Sequence, residues 1–337
     1  MVITLEMANN RKTIKDINSI TEFKDEALLI AKKKIPRQIR RYFETIVESD
    51  KRSREVFDKI FFRQKIIHNI NPSTECKFLD YSLKTPIMIA PMASMATMFE
   101  DGVGKMCAAT DRTGSITWMA FHSREHYAKH AKINPIVYIE KPLEDRTTLL
   151  NKLKMAEQEG CIAVGIDVDS GGDRGERWGG PLKPLSVDEL KKIRENLSKP
   201  FVIKGVLSVD DAVKAVDVGA DIIVVSNHYG TKMDYAQAPL EVLPEIVERV
   251  GDDIDVLVDC QIRKGSDVLK VLAMGGKGVL VGRPIVWSAL IGGVEGMAHL
   301  IKLMTQELRS AMLYTGVETV KNVSRDILVL PHDIFRT

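Results

Sequence analysis

The chain has 337 residues, 45% hydrophobic and 28% charged, enough to fill the core of one large domain or two smaller ones. Its formal net charge of +2, with Lys and Arg mixed among Asp and Glu throughout, gives no basis for nucleic-acid binding. Met1 to Asn10 lacks the apolar region of a secretory signal, and no stretch reaches the roughly 18 uninterrupted apolar residues of a membrane span, so the expectation is a cytoplasmic protein without a membrane span.

Residues 1–85 read as a helical extension packed on the barrel that follows, with charged helical patterns from Ile20 to Lys34 and from Pro36 to Phe62; the basic run Lys32-Lys33-Lys34 suits a solvated helix face. From about residue 86, short apolar runs alternate with amphipathic stretches. The eight runs are Ile87 to Ala90, Ile116 to Ala120, Ile136 to Ile139, Ile162 to Val168, Phe201 to Lys204, Ile222 to Val225, Val256 to Asp259 and Val279 to Gly282. Between them lie helical patterns such as Leu149 to Glu159 and Asp210 to Val218, the latter with Ser208 as N-cap. Eight strand-helix repeats predict an α/β fold, a (β/α)8 TIM barrel over residues 86–315, rather than an open sheet. Gly293 to Tyr314 reads as a long amphipathic helix, and residues 316–337 as a tail that contacts a neighbouring subunit.

Two residue sets invite a metal reading and do not support it. His122, His126 and His130 fall at helical spacing, but no carboxylate or cysteine supplements them, which favours a polar surface stripe. Cys76, Cys107, Cys161 and Cys260 are too widely separated for a paired-cysteine metal site or a disulfide framework. No metal is expected.

The chemistry concentrates at strand ends. Ile223 to Val225 delivers Ser226-Asn227-His228, the strand before it ends at Lys204, and the one before that at Asp169. Ionisable groups closing three consecutive strands are costly in a purely structural core, and the C-terminal ends of barrel strands are where a ligand is met. After the last two strands, Asp259 to Asp267 and Gly282-Arg283-Pro284 offer glycine-containing turns, a helix N-terminus, Arg263 and Arg283, a set suited to phosphate. With Ala90-Pro91-Met92-Ala93 as a small-residue turn after the first strand, flavin mononucleotide (FMN) fits the barrel mouth.

These landmarks, together with Pro86-Ile87-Met88-Ile89-Ala90-Pro91, Lys204-Gly205, Asp234 and Arg263 to Lys270, resemble the FMN-dependent 2-hydroxy-acid oxidase and dehydrogenase family over roughly residues 40 to 315. The resemblance implies that His228 is the catalytic base, that Asp169 stabilises its protonated form, that Lys204 faces the flavin edge where negative charge develops, and that Tyr138 hydrogen-bonds the substrate. It implies FMN contacts from Pro91, Met92, Ala93, Met119, Asp167, Lys204, Ser226, Asp259, Gln261, Arg263, Gly282 and Arg283. It also implies a homotetramer or higher assembly.

The departures bear on substrate. Where the family has an arginine clamping the substrate carboxylate this chain has Thr231, with Lys232 adjacent; the second family arginine corresponds to Arg174 or Arg177 in a shortened loop. The family glutamine near the flavin is Ile136, its threonine Asp167, its glycine pair Cys260-Gln261, and a tyrosine pair becomes Tyr42-Phe43. The expectation is an oxidoreductase acting on a hydroxy or amino compound, a small molecule or a modified peptide, other than a simple 2-hydroxy acid. The alternatives are a conventional L-2-hydroxy-acid oxidase or dehydrogenase with a rebuilt clamp, and a barrel that binds a phosphorylated ligand without redox chemistry. Oxygen, a quinone or a protein are all open as electron acceptor.

Overall fold

In the computed structural model, described for residues 14–34, 47–120, 125, 127–172 and 180–331, eight parallel strands close into a barrel. They are β1 (Ile87–Ile89), β2 (Thr117–Ala120), β3 (Ile136–Glu140), β4 (Ala163–Asp167), β5 (Phe201–Val206), β6 (Ile222–Val225), β7 (Asp255–Val258) and β8 (Gly278–Val281). Each pairs with its sequence neighbours, and β8 closes on β1. Every strand occupies one of the eight apolar runs. All are buried on both faces, as parallel strands under a helical layer must be.

The register decides which side chains point inward. Met119, Tyr138 and Val164 lie side by side across β2, β3 and β4, as do Ala120, Ile139 and Gly165, while Asp167 pairs with Lys204 across β4 and β5. Because neighbours in register point to the same face, Asp167 and Lys204 face one side, and Tyr138 with Met119 the other.

Helices form where the sequence patterns put them. Ile20–Lys34 buries Ile20, Phe23 and Ala27 and packs against the long helix Arg283–Thr315, where Phe23 meets His299. Val209–Val218 is capped by the Ser208 hydroxyl accepting from Asp211 N, and ends on Gly219 in the left-handed region. Arg283–Thr315 has the length and composition to cross a membrane, but it is largely buried against the barrel and broken at Gly292 and Gly293.

One expectation changes. The helical pattern running to Phe62 stops at Lys59, and Phe61–Phe62 instead pairs antiparallel with Leu328–Val329, so tail residues through Leu330 pack on their own chain. The preceding helix, Glu48–Lys59, lies against the turn after β6. Its residues enter the site.

Candidate active site

At the C-terminal end of the barrel the strand ends assemble a compact charge cluster. Lys204 Nζ lies 3.2 Å from Asp259 Oδ2 and 3.5 Å from Asp167 Oδ1, and donates to Ser226 Oγ at 3.2 Å. His228 Nδ1 is 3.1 Å from Asp169 Oδ2 and 3.6 Å from Asp167 Oδ2. Lys141, directly after β3, donates from Nζ to Asp167 Oδ2 at 2.5 Å and to Ser170 Oγ at 2.7 Å. With Nδ1 committed to Asp169, Nε2 is the His228 nitrogen left to exchange a proton.

Burial acts against the charges of His228, Asp167 and Lys204, and the neighbours override it. Burial alone would lower the His228 pKa, but the charges of Asp169 and Asp167 raise it above its ordinary value. Asp167, which burial would raise, is held well below the usual carboxylate range by Lys141 and Lys204. Lys204 is in turn raised against its own desolvation by Asp167, Asp259 and Asp169.

The backbone is bent to reach this arrangement. His228, Tyr229 and Gly230 take φ of 50°, 48° and 75°, and Cys260 and Gln261, at the family's glycine pair, take 70° and 56°. For the four non-glycine residues this is a strained, left-handed conformation. Gly205, at φ 99°, makes the opposite use of the region: a Cβ there would stand 2.7 Å from Asp169 Cγ. Gly205→Ala is therefore expected to destabilise the fold by about 2–4 kcal/mol and displace Asp169 from His228; thermal melts and the rate of flavin reduction check this.

A second cluster closes the other side of the mouth. Arg283 forms a buried two-bond pair with Asp50 (2.7 and 2.5 Å), and Arg54 a two-bond pair with Asp267 (2.9 and 3.0 Å). Arg263 is different. Its guanidinium stacks on Trp287 and donates to Gln261 Oε1 at 3.2 Å, but among the described residues no carboxylate forms an ion pair with it. Burial first, then the charge of Arg283, lowers its pKa well below the ordinary arginine value. A half-buried cation with no described carboxylate in ion-pair contact, beside the N-terminus of Arg283–Thr315, suits an anion.

Between the clusters lies an open-mouthed cavity of about 260 Å³. Of the expected residues, Pro91, Met92, Ala93, Asp167, Lys204, His228, Thr231, Asp259, Gln261, Arg263, Gly282 and Arg283 line it, with Lys232. Ser226 and Asp169 support it from behind by hydrogen-bonding His228, through its backbone N–H and its ring.

Two further expected residues, Tyr138 and Met119, are also not on the wall. Tyr138 is buried on the outer face of β3, donating to Glu140 Oε2 at 2.5 Å against the ring of Tyr127; Glu140 in turn meets Lys152 of the surrounding helix. Met119 shares that outer face, and Ala120 lines the cavity in its place. Arg174, Arg177, Tyr42, Phe43, His122 and His126 lie outside the described residues; His130 pairs with Asp101 at 2.8 Å. Sequence reasoning missed Lys141, Asp50 and Arg54. Lys141 was within reach, as one more charged residue closing an apolar strand.

The sequence profile of a family described as FMN-dependent dehydrogenase matches residues 31–178 and 172–330. The chain belongs to the FMN-dependent 2-hydroxy-acid oxidase family. Among similar proteins are the L-lactate oxidase of Nostoc sp. (strain PCC 7120), 30% identical over 324 residues covering 82% of this chain and 89% of that one, and glycolate oxidase 3 of Arabidopsis thaliana, 27% identical, covering 92% and 95%. A solved mandelate oxidase with 3,3-difluoro-2-hydroxy-3-phenylpropionic acid superposes with a TM-score of 0.82 at 29% identity, covering 93% of this chain and 98% of that one. As a member of this oxidase family the chain is a flavoenzyme whose cofactor is FMN; another mandelate oxidase structure (TM-score 0.81) carries an FMN adduct. The residues present fit that group. Arg263, Arg283 and Gly282, all on the cavity wall, could hold its phosphate, and the Lys204 ammonium lines the same cavity.

Proposed function

We propose that this enzyme oxidises a C–H bond carrying a hydroxyl or amino group, that His228 takes the proton, and that the substrate is larger than a simple 2-hydroxy acid, a modified peptide being one candidate. The carrying observation is the clamp position. The Thr231 hydroxyl donates to the His228 carbonyl at 2.9 Å, so it is turned to its own turn rather than to a ligand. Two charge-assisted bonds to a carboxylate contribute about 1.5 to 3 kcal/mol each, and a neutral hydroxyl does not replace them. Tyr138, facing outward, offers the substrate nothing. Beside Thr231 the exposed side chains of Met233 and Tyr235 suit a bulky apolar substituent.

In this reading Asp169 holds the Nδ1 proton and steadies the imidazolium formed when Nε2 accepts the substrate proton. Bound FMN supplies the acceptor for two electrons. Lys204, fixed by Asp167, Asp259 and Ser226, presents an ammonium to the charge that reduction creates. We take the working form to be a cytoplasmic homotetramer or larger assembly.

A conventional L-2-hydroxy-acid oxidase or dehydrogenase is the second reading, with the clamp rebuilt from Arg174, Arg177 or Lys232. Lys232 on the cavity wall favours it, as do the lactate and glycolate oxidase relatives. The reading as a non-redox ligand-binding barrel has no support. Anaerobic mixing with lactate, glycolate and mandelate separates the first two: little bleaching of the flavin is expected over the time of a normal turnover, and fast bleaching by lactate establishes the second.

A further inference from the structure

We propose that Lys141 is the counter-charge that lets a carboxylate stand at Asp167 in the cofactor cavity, and that it sets the electron affinity of the bound flavin through that carboxylate. Lys141, Asp167, Lys204 and Asp259 all line the cavity and are all at least nine-tenths buried. They form a continuous row: Lys141 on one oxygen of Asp167 at 2.5 Å, Lys204 on the other at 3.5 Å, and Asp259 on Lys204 at 3.2 Å. Ser170 Oγ, accepting from Lys141 at 2.7 Å, fixes the outer end of the row.

Two ammoniums and two carboxylates make the row neutral. Losing Lys141 alone leaves it at net −1, and losing the Asp167 carboxylate alone leaves it at net +1. In a buried site such a unit change is screened far less than in water. Reduction adds negative charge to the flavin, so net −1 opposes it and net +1 favours it. Lys141 is thus a positioning residue, acting through Asp167. The inference rests on FMN as the cofactor and not on the substrate reading, because its test uses no substrate.

The midpoint potential of the FMN in the holoenzyme, measured against a reference dye, and titration with sulfite, whose addition to the flavin bleaches it and leaves negative charge on the ring, give the readout. Lys141→Met is expected to weaken sulfite binding at least tenfold and to shift the two-electron reduction equilibrium by a similar factor, about 30 mV downward. Asp167→Thr is expected to shift both upward by at least tenfold. The double variant, D167T with K141M, should return to within about threefold of wild type, and Lys141→Arg should stay there. The same shifts should persist in a His228→Ala background, which separates this inference from the assignment of the base. Wild-type potential and sulfite affinity in Lys141→Met would overturn the proposal. If that variant does not retain FMN, D167T is compared with the double variant; equal sulfite affinities overturn the proposal, and a tenfold difference supports it.

Discussion

His228→Ala is expected to slow reduction of the flavin by substrate about 10²- to 10⁴-fold while FMN stays bound, the usual range for loss of a positioned general base. Retention of the cofactor is expected because the anion-binding charges on the cavity lining, Arg263 and Arg283, are side chains separate from His228. The pH profile carries the same signature. Asp169 and Asp167 raise the folded-state pKa above the ordinary histidine value of about 6.5, and the base works only when neutral. The rate of flavin reduction should therefore climb with pH through a value above 6.5, and Asp169→Asn should move that inflection down. Stability runs the other way. The contribution of the imidazolium is complete below the unfolded-state pKa and is lost as pH rises through the folded-state one. Stopped-flow reduction and thermal melts across pH read the two trends; a His228→Ala enzyme reducing at the wild-type rate removes the assigned role.

Arg263→Ala and Arg283→Ala should differ in kind. Arg263 forms no ion pair with a described carboxylate, so removing it costs the phosphate its charge-assisted bonds and leaves the apoprotein intact. Two such bonds at about 1.5 to 3 kcal/mol each correspond to FMN binding weaker by about 10²- to 10⁴-fold. Arg283 is one half of a buried pair, and its loss leaves Asp50 uncompensated, which is expected to destabilise the protein by about 3–5 kcal/mol. Reconstitution of apoprotein with FMN, followed by fluorescence, alongside melts of the apo forms, distinguishes the two. Full FMN occupancy in purified Arg263→Ala contradicts the anion site.

The barrel was legible because eight apolar runs in fixed alternation leave few ways to close a sheet, and each strand formed on its run, within two residues of the expected ends. Strand-end chemistry was legible for the same reason: His228, Lys204 and Asp169 stand where an apolar run stops. Facing direction was not. A strand buried on both sides has no polar alternation to mark its inner face, so Ile136 to Ile139 does not reveal that Tyr138 points outward. Lys141 escaped because β3 runs one residue further than its apolar core, through the buried Glu140. Asp50 and Arg54 escaped for another reason: on an amphipathic helix of charged residues, nothing local separates a solvated side chain from one that meets Arg283 or Asp267 across the fold.

The helix Glu48–Lys59 also has a temporal meaning. On the ribosome it emerges early, yet Ser53 must wait 174 residues for Asn227, Ser49 185 for Asp234, Arg54 213 for Asp267 and Asp50 233 for Arg283. Partners so distant along the chain make ring closure a late and slow event. The nucleotide pocket is consequently completed only when synthesis is nearly over, and an unfinished polypeptide has no means of capturing FMN with this set of contacts.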